Sequence, residues 1–192
     1  MKEPLKFFLI AGEPSGDLHG AKLIRAIKSL QPLSSFMGHG GYLMEKEGMK
    51  IVEHCNNLSV MGFKEVVVHL PRIWTILNNT VALVKKVKPD RIILIDYPGF
   101  NLQFAKSISK FGIPISYFIL PQAWAWKSKR VKTIKKHFDQ SFSIFPFEQK
   151  WYKSKGVDTK FFGHPFMEID HLDENRIQFF KRHKLNPVSY TH

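Results

Sequence analysis

Residues 5–30 read LKFFLIAGEPSGDLHGAKLIRAIKSL, and this stretch decides the fold. LKFFLIA (5–11) is a short apolar run, the signature of a buried strand. AKLIRAIKSL (21–30) places Leu23, Ile24, Ile27 and Leu30 at helical spacing. Between them lies a loop, GEPSGDLHG (12–20), with Gly12, Gly16 and Gly20 four residues apart. Strand, glycine-rich loop and helix in this order form the opening unit of a parallel α/β fold.

The alternation continues along the chain. Strands are expected at SSFMGHGG (34–41), KIVEHC (50–55), RIILID (91–96), IPISYFIL (113–120), QSFSIF (140–145) and TKFFG (159–163). Tyr42 to Glu47 is a short helix closed by Gly48. Residues 70–90 form a long helix with Pro71 in its first turn, Lys85, Lys86 and Lys88 in its last, and Pro89 stopping it. After RIILID, Pro98-Gly99 forces a turn, Asn101 caps NLQFAKSISKFG, and Gly112 ends that helix. SKRVKTIKKHF (128–138) is a basic helix, FEQKWYKSKG a short one, and EIDHLDENRIQFFKRHK is helical in pattern. The sum is a Rossmann-like parallel sheet with helices on both faces.

Composition narrows the function classes. The 192 residues are 44% hydrophobic, which suits a globular domain and argues against disorder. A single cysteine, Cys55, rules out an internal disulfide, and no Cys/His cluster has zinc spacing. The chain opens without a secretory signal pattern, and no apolar run reaches the roughly 18 residues of a membrane span. Lys+Arg is 29 against Asp+Glu 16, a net charge of +13. That excess favours an anionic partner (nucleic acid, a membrane surface or a phosphorylated substrate) or reflects lysine on solvated faces.

In a parallel α/β sheet, ligands bind beyond the carboxyl ends of the strands. Four loops therefore converge on one rim: GEPSGD, YPGFN, PQAWAWK and GHP. The first is neither G-x-G-x-x-G nor a P-loop. Glu13 and Asp17 repel phosphate and suit sugar hydroxyls, while Ser15 or Asp17 can also cap the following helix. Asp96 ends a buried strand and is the candidate general base, with a capping role as the alternative. Trp124 and Trp126 precede Lys127, Lys129, Arg130 and Lys132, a pattern for stacking or lipid contact, or for core aromatics beside a solvated helix. His164 is a rim ligand or a turn residue. Residues 60–74 join Met61, Phe63, Val67, Leu70 and Trp74 with Lys64 and Arg72, a surface for a membrane interface, an acyl groove or ordinary packing.

AGEPSGDLHGA, VMGFKEV, IDYPGFN, PQAWAWKSKRV and FFGHP occur in an order and spacing that resemble the N-terminal half of lipid-A-disaccharide synthase, from about residue 5 to about residue 166. The resemblance implies the N-terminal domain of a GT-B glycosyltransferase. Such enzymes transfer 2,3-diacylglucosamine from UDP-2,3-diacylglucosamine to 2,3-diacylglucosamine 1-phosphate with inversion, releasing UDP. It implies Asp96 as the base; Glu13, Ser15, Gly16, Asp17, Asn101, Gln122, Trp124, Trp126 and His164 as substrate contacts; and Met61, Phe63, Val67, Leu70 and Trp74 as membrane or acyl contacts. Some relatives carry a second Asp where this chain has Gly99, which leaves Asp96 the only carboxylate of its loop.

The resemblance further implies no cofactor and no metal, the UDP-sugar being a substrate. It implies a cytoplasmic protein, peripheral on the anionic inner face of the inner membrane, with no nucleic-acid partner; a homodimer of the full-length form is compatible with it. It divides the chain into an acceptor-side domain over residues 1–170 and a helical tail over 171–192. That tail would begin a UDP-binding domain whose L-P-G-S-R-type loop these residues lack, so turnover by the 192 residues alone is not expected. Two rival readings remain: another GT-B UDP-sugar transferase or epimerase, and a basic nucleic-acid-binding module, the latter giving no role to Asp96.

Overall fold

A computed structural model describes residues 4–58, 63–165 and 181–182, with residues 63–69 described as backbone. Seven parallel strands form one sheet: β1 (Lys6–Ala11), β2 (Ser35–Gly40), β3 (Lys50–His54), β4 (Arg91–Ile95), β5 (Ile115–Phe118), β6 (Gln140–Ser143) and β7 (Lys160–Phe161). Their order is β3-β2-β1-β4-β5-β6-β7. From β1 the chain steps outward one way to β3, then returns to β4 beside β1 and steps the other way. The switch point is therefore the crevice between β1 and β4, where Ala11 pairs with Ile95.

The helices are α1 (Pro14–Leu30), α2 (Tyr42–Lys46), α3 (Phe63–Val87), α4 (Pro98–Ile108), α5 (Arg130–His137) and α6 (Pro146–Ser154). Side chains alternate across a strand, so each central strand feeds two cores. Phe7, Leu9, Ala11, Ile93 and Ile95 pack with Ala21 and Ile24 of α1 and Met44 of α2. Phe8, Ile10, Ile92, Leu94 and Tyr117 pack with α3 to α6, through Leu77, Val84, Phe104, Ile108, Ile134 and Tyr152.

Three sequence expectations change. First, α1 begins at Pro14, so most of GEPSGD is helix. Its N-cap is Glu13, which makes no side-chain cap bond, so neither Ser15 nor Asp17 caps it. The glycines serve protein packing: a Cβ on Gly12 would lie 2.3 Å from the Tyr97 ring, and one on Gly20 would lie 2.5 Å from the Met44 sulfur. Second, α3 runs through Pro71, which sits inside it, because the helix starts at Phe63. It ends at Val87, and Lys88 turns left-handed at φ 48°. Third, Pro98 and Gly99 form the first turn of α4, which places Asn101 inside the helix. Gly112 closes the following 3-10 turn at φ 69°. The strands expected at 113–120, 140–145 and 159–163 are shorter, since only Ile115–Phe118, Gln140–Ser143 and Lys160–Phe161 pair. Met61 and most of the expected helix over EIDHLDENRIQFFKRHK lie outside the described residues, as do the side chains of Phe63 and Val67.

Candidate active site

The carboxyl ends of β1 and β4 bring two acids together. Glu13 holds an extended backbone (φ −153°, ψ 163°) at the start of α1, which leaves its side chain free to reach across the switch point. There it hydrogen-bonds the Asp96 side chain. Two carboxyl groups can form that bond only with a proton between them. Burial, and then the Glu13 charge and hydrogen bond, push the Asp96 carboxyl up from 3.8 to about 6, against the backbone N–H of Tyr97 and the charge of Arg130.

The backbone beneath Asp96 is strained and over-determined. Asp96 and Tyr97 take consecutive left-handed angles, φ 44° and 43°. Non-glycine residues there cost about 1–3 kcal/mol each and persist only when the surroundings enforce them. Here the Asp96 N–H donates to the Phe118 carbonyl at 3.0 Å. The Asp96 carbonyl accepts from Asn101 Nδ2 at 2.8 Å and from the Tyr117 hydroxyl at 3.0 Å. Asn101 also reaches the Ile95 carbonyl at 3.3 Å. Asn101 is fully buried and acts as a clamp on the strand end, not as the cap of its helix. The Tyr97 hydroxyl donates to the Leu58 carbonyl at 2.9 Å while its ring lies over Gly12.

Asp17 has a different employment. It is buried in α1, and its carboxylate accepts from the N–H groups of Gly41 (2.8 Å), Leu43 (3.0 Å) and Met44 (3.0 Å). These are the orphan donors at the start of α2, whose N-cap, Gly41, has no side chain to satisfy them. Asp17 caps a helix, but the neighbouring one. Gly16 is buried, where a Cβ would stand 3.1 Å from that of Ala11, and Ser15 is exposed in the first turn of α1.

The loop after β5 lines the same rim. Gln122 is exposed, and its carbonyl accepts from Ala125 and Trp126 N–H groups at 3.1 and 3.5 Å. Trp124 is 40% exposed yet tethered: its Nε1–H donates at 3.0 Å to Glu148, which is fully buried at the start of α6. Its ring meets Phe147 edge-on at 5.0 Å. Trp126 is more exposed, with Lys127 Nζ 4.6 Å and Arg130 Cζ 4.9 Å from its ring centroid. His164 sits against the Phe145 ring at 5.4 Å.

An apolar cavity of about 430 Å³ opens between α3 and α4. Leu58, Leu70, Ile73, Trp74, Leu77 and Phe100 line it, and Tyr97 forms its wall next to the acid pair. Leu70 and Trp74, both singled out by sequence, are partly exposed at this cavity. Tyr97, Tyr117, Glu148 and Arg130 were not singled out as site residues. Tyr97 and Arg130 stand within motifs that were, IDYPGFN and PQAWAWKSKRV, whereas nothing local marks Tyr117 or Glu148.

A half-buried acid pair at the switch point of a parallel sheet with helices on both faces defines the class, an α/β domain of Rossmann-like fold. Solved structures bear this out at the level of fold. UDP-N-acetylglucosamine 2-epimerase from Rickettsia bellii matches with TM-score 0.61 at 15% identity, over 96% of this chain and 52% of that one. The Neisseria meningitidis UDP-GlcNAc 2-epimerase matches with TM-score 0.53 at 11% identity, over 93% and 51%. Residues 7–187 match the lipid-A-disaccharide synthetase family, and the chain belongs to it. The lipid-A-disaccharide synthase of Acidobacterium capsulatum is 38% identical over 99% of this chain and 48% of its own length. That of Coxiella burnetii (strain Dugway 5J108-111) is 39% identical over 93% and 48%. The chain thus spans about half the length of the curated relatives it matches.

Proposed function

We propose that the chain carries the acceptor-side half of an inverting glycosyltransferase. The reaction joins UDP-2,3-diacylglucosamine to 2,3-diacylglucosamine 1-phosphate and releases UDP. The observation that carries this reading is the Glu13–Asp96 pair beside the apolar cavity, with Tyr97 common to both. A base alone fits many transferases; a base next to a greasy cavity of ligand size fits an acylated sugar.

In the proposed step the acceptor 6-hydroxyl attacks the anomeric carbon of the donor from the face opposite UDP. The new C–O bond forms as the bond to the UDP oxygen breaks, and the hydroxyl proton passes to the acid pair. At pH 7 the Asp96 carboxyl, raised to about 6, is mostly ionised and receives that proton. Its raised pKa makes it a stronger base than an ordinary aspartate while it remains ionised at pH 7. Asn101, Tyr117 and the backbone of β5 hold that base in place. The cavity takes acyl chain, and the exposed Leu70 and Trp74, with the net charge of +13, support docking on an anionic membrane surface. No helix among the described residues is long and apolar enough to cross a membrane.

The test is UDP release by the protein purified at its native length, with both substrates. Asp96→Asn is expected to lower kcat by about 10²- to 10⁴-fold. Trp74→Ala is expected to raise the KM of the acylated acceptor more than it changes kcat. Wild-type protein that releases no UDP, or an Asp96→Asn variant with near-normal turnover, refutes the reading. Tight, salt-sensitive binding to arbitrary DNA in place of lipid vesicles would favour the nucleic-acid alternative.

A further inference from the structure

Resting on that proposed reaction, we infer that Arg130, stacked on Trp126 and flanked by Lys127, holds a phosphate group of a substrate beside the Glu13–Asp96 pair. Both substrates are anionic, and the acceptor ends in a phosphomonoester that carries close to two negative charges at pH 7. An acid pair at the centre of the site repels such ligands unless a cation stands next to it. Arg130 is that cation: it opens α5 directly after the rim loop of β5, the strand paired with β4, and its charge reaches Asp96 at the end of β4.

Its guanidinium is available. Among the described residues the salt bridge is Arg25–Glu47, no carboxylate bonds the Arg130 guanidinium, and Arg130 acts on Asp96 through its charge. Its planar fork of donors is therefore unclaimed by carboxylates among those residues, while stacking on Trp126 at 4.9 Å restricts its orientation. A stacked guanidinium with free in-plane donors is suited to two-pronged phosphate recognition, and an ammonium is a poorer substitute. Lys127, on the same indole at 4.6 Å, adds a second positive charge. Trp126 thus acts as a platform for the two cations, and its exposure follows from that role.

The experiment compares wild type, Arg130→Gln and Arg130→Lys at native length. Circular dichroism checks that each is folded, and Arg130→Lys keeps a cation over Trp126 if the glutamine variant does not fold. Arg130→Gln is expected to raise the KM for 2,3-diacylglucosamine 1-phosphate about 10- to 100-fold, with a smaller change in kcat, and Arg130→Lys to fall between. Phosphate-free 2,3-diacylglucosamine, used as a competitive inhibitor, is expected to bind wild type and both variants equally. An effect confined instead to inhibition by UDP assigns the same phosphate contact to the donor. Equal weakening of the phosphate-free inhibitor with unchanged UDP inhibition overturns the inference, as does unchanged kinetics throughout. Wild-type protein inactive on both substrates refutes the proposed reaction itself, a separable outcome.

Discussion

Replacing Glu13 by Gln probes the acid pair most directly. In the wild type, Asp96 lies at about 6 against an ordinary 3.8. That difference corresponds to about 3 kcal/mol favouring the protonated carboxyl. Burial supplies the largest part, and the charge and hydrogen bond of Glu13 the next. Activity that requires the ionised pair is lost as pH falls through about 6, so the acid limb of the kcat/KM profile belongs there. Glu13→Gln removes the charge repulsion and leaves the burial, so the limb is expected to move down by about one pH unit.

The same linkage has a stability arm. Because the folded-state pKa is raised, the native protein binds more protons than the unfolded chain between 3.8 and about 6, and stability falls as pH rises through that window. Asp96→Asn removes this penalty and is expected to stabilise the protein by about 1–3 kcal/mol at pH 7 even as it lowers kcat. The assays are a pH series of initial rates and urea unfolding at pH 7. An acid limb near 4 in the wild type, or one that does not move in Glu13→Gln, refutes the paired-carboxyl reasoning.

His39 is fully buried, and burial lowers it from 6.5 to about 4. Its neutral form is kept in the fold, so stability present above 6.5 is lost as pH falls toward 4, by about 3 kcal/mol. Urea unfolding of wild type minus His39→Gln across that range isolates the contribution from Asp96, whose sign is opposite. Asp17→Ala strips three acceptor contacts from the start of α2 and is expected to cost about 2–3 kcal/mol in the same assay. Gly12→Ala drives a methyl into the Tyr97 ring. It is expected to destabilise by about 1–3 kcal/mol and to lower kcat, because Tyr97 adjoins Asp96.

Much of the architecture was legible because its signals are local. IILI (92–95) is apolar throughout because it is buried on both faces, and 70–87 shows helical spacing because one side packs on the sheet. The errors are equally instructive. GEPSGDLHG reads as a loop because its glycines, Gly16 and Gly20 among them, are poor helix formers. In the fold they permit the close contacts of α1 with Ala11 and Met44, and packing overrides propensity. Asn101 read as a cap because it follows Pro98-Gly99, yet its partners are the carbonyls of Ile95 and Asp96. The cap was Asp17, but its donors lie on α2, which no local pattern reports.

By itself the sequence determined the alternation of strands and helices, the rim loops, Asp96 at a strand end and the family motifs. Each depends on residues a few positions apart. Only the tertiary structure decided that β1 and β4 are neighbours, that Glu13 therefore meets Asp96, and that Tyr97 joins this pair to an apolar cavity. Strand order follows from which faces can be buried together over the whole chain. The charge state of a carboxyl follows from what surrounds it after that burial. Neither quantity has a period that a window of sequence can carry.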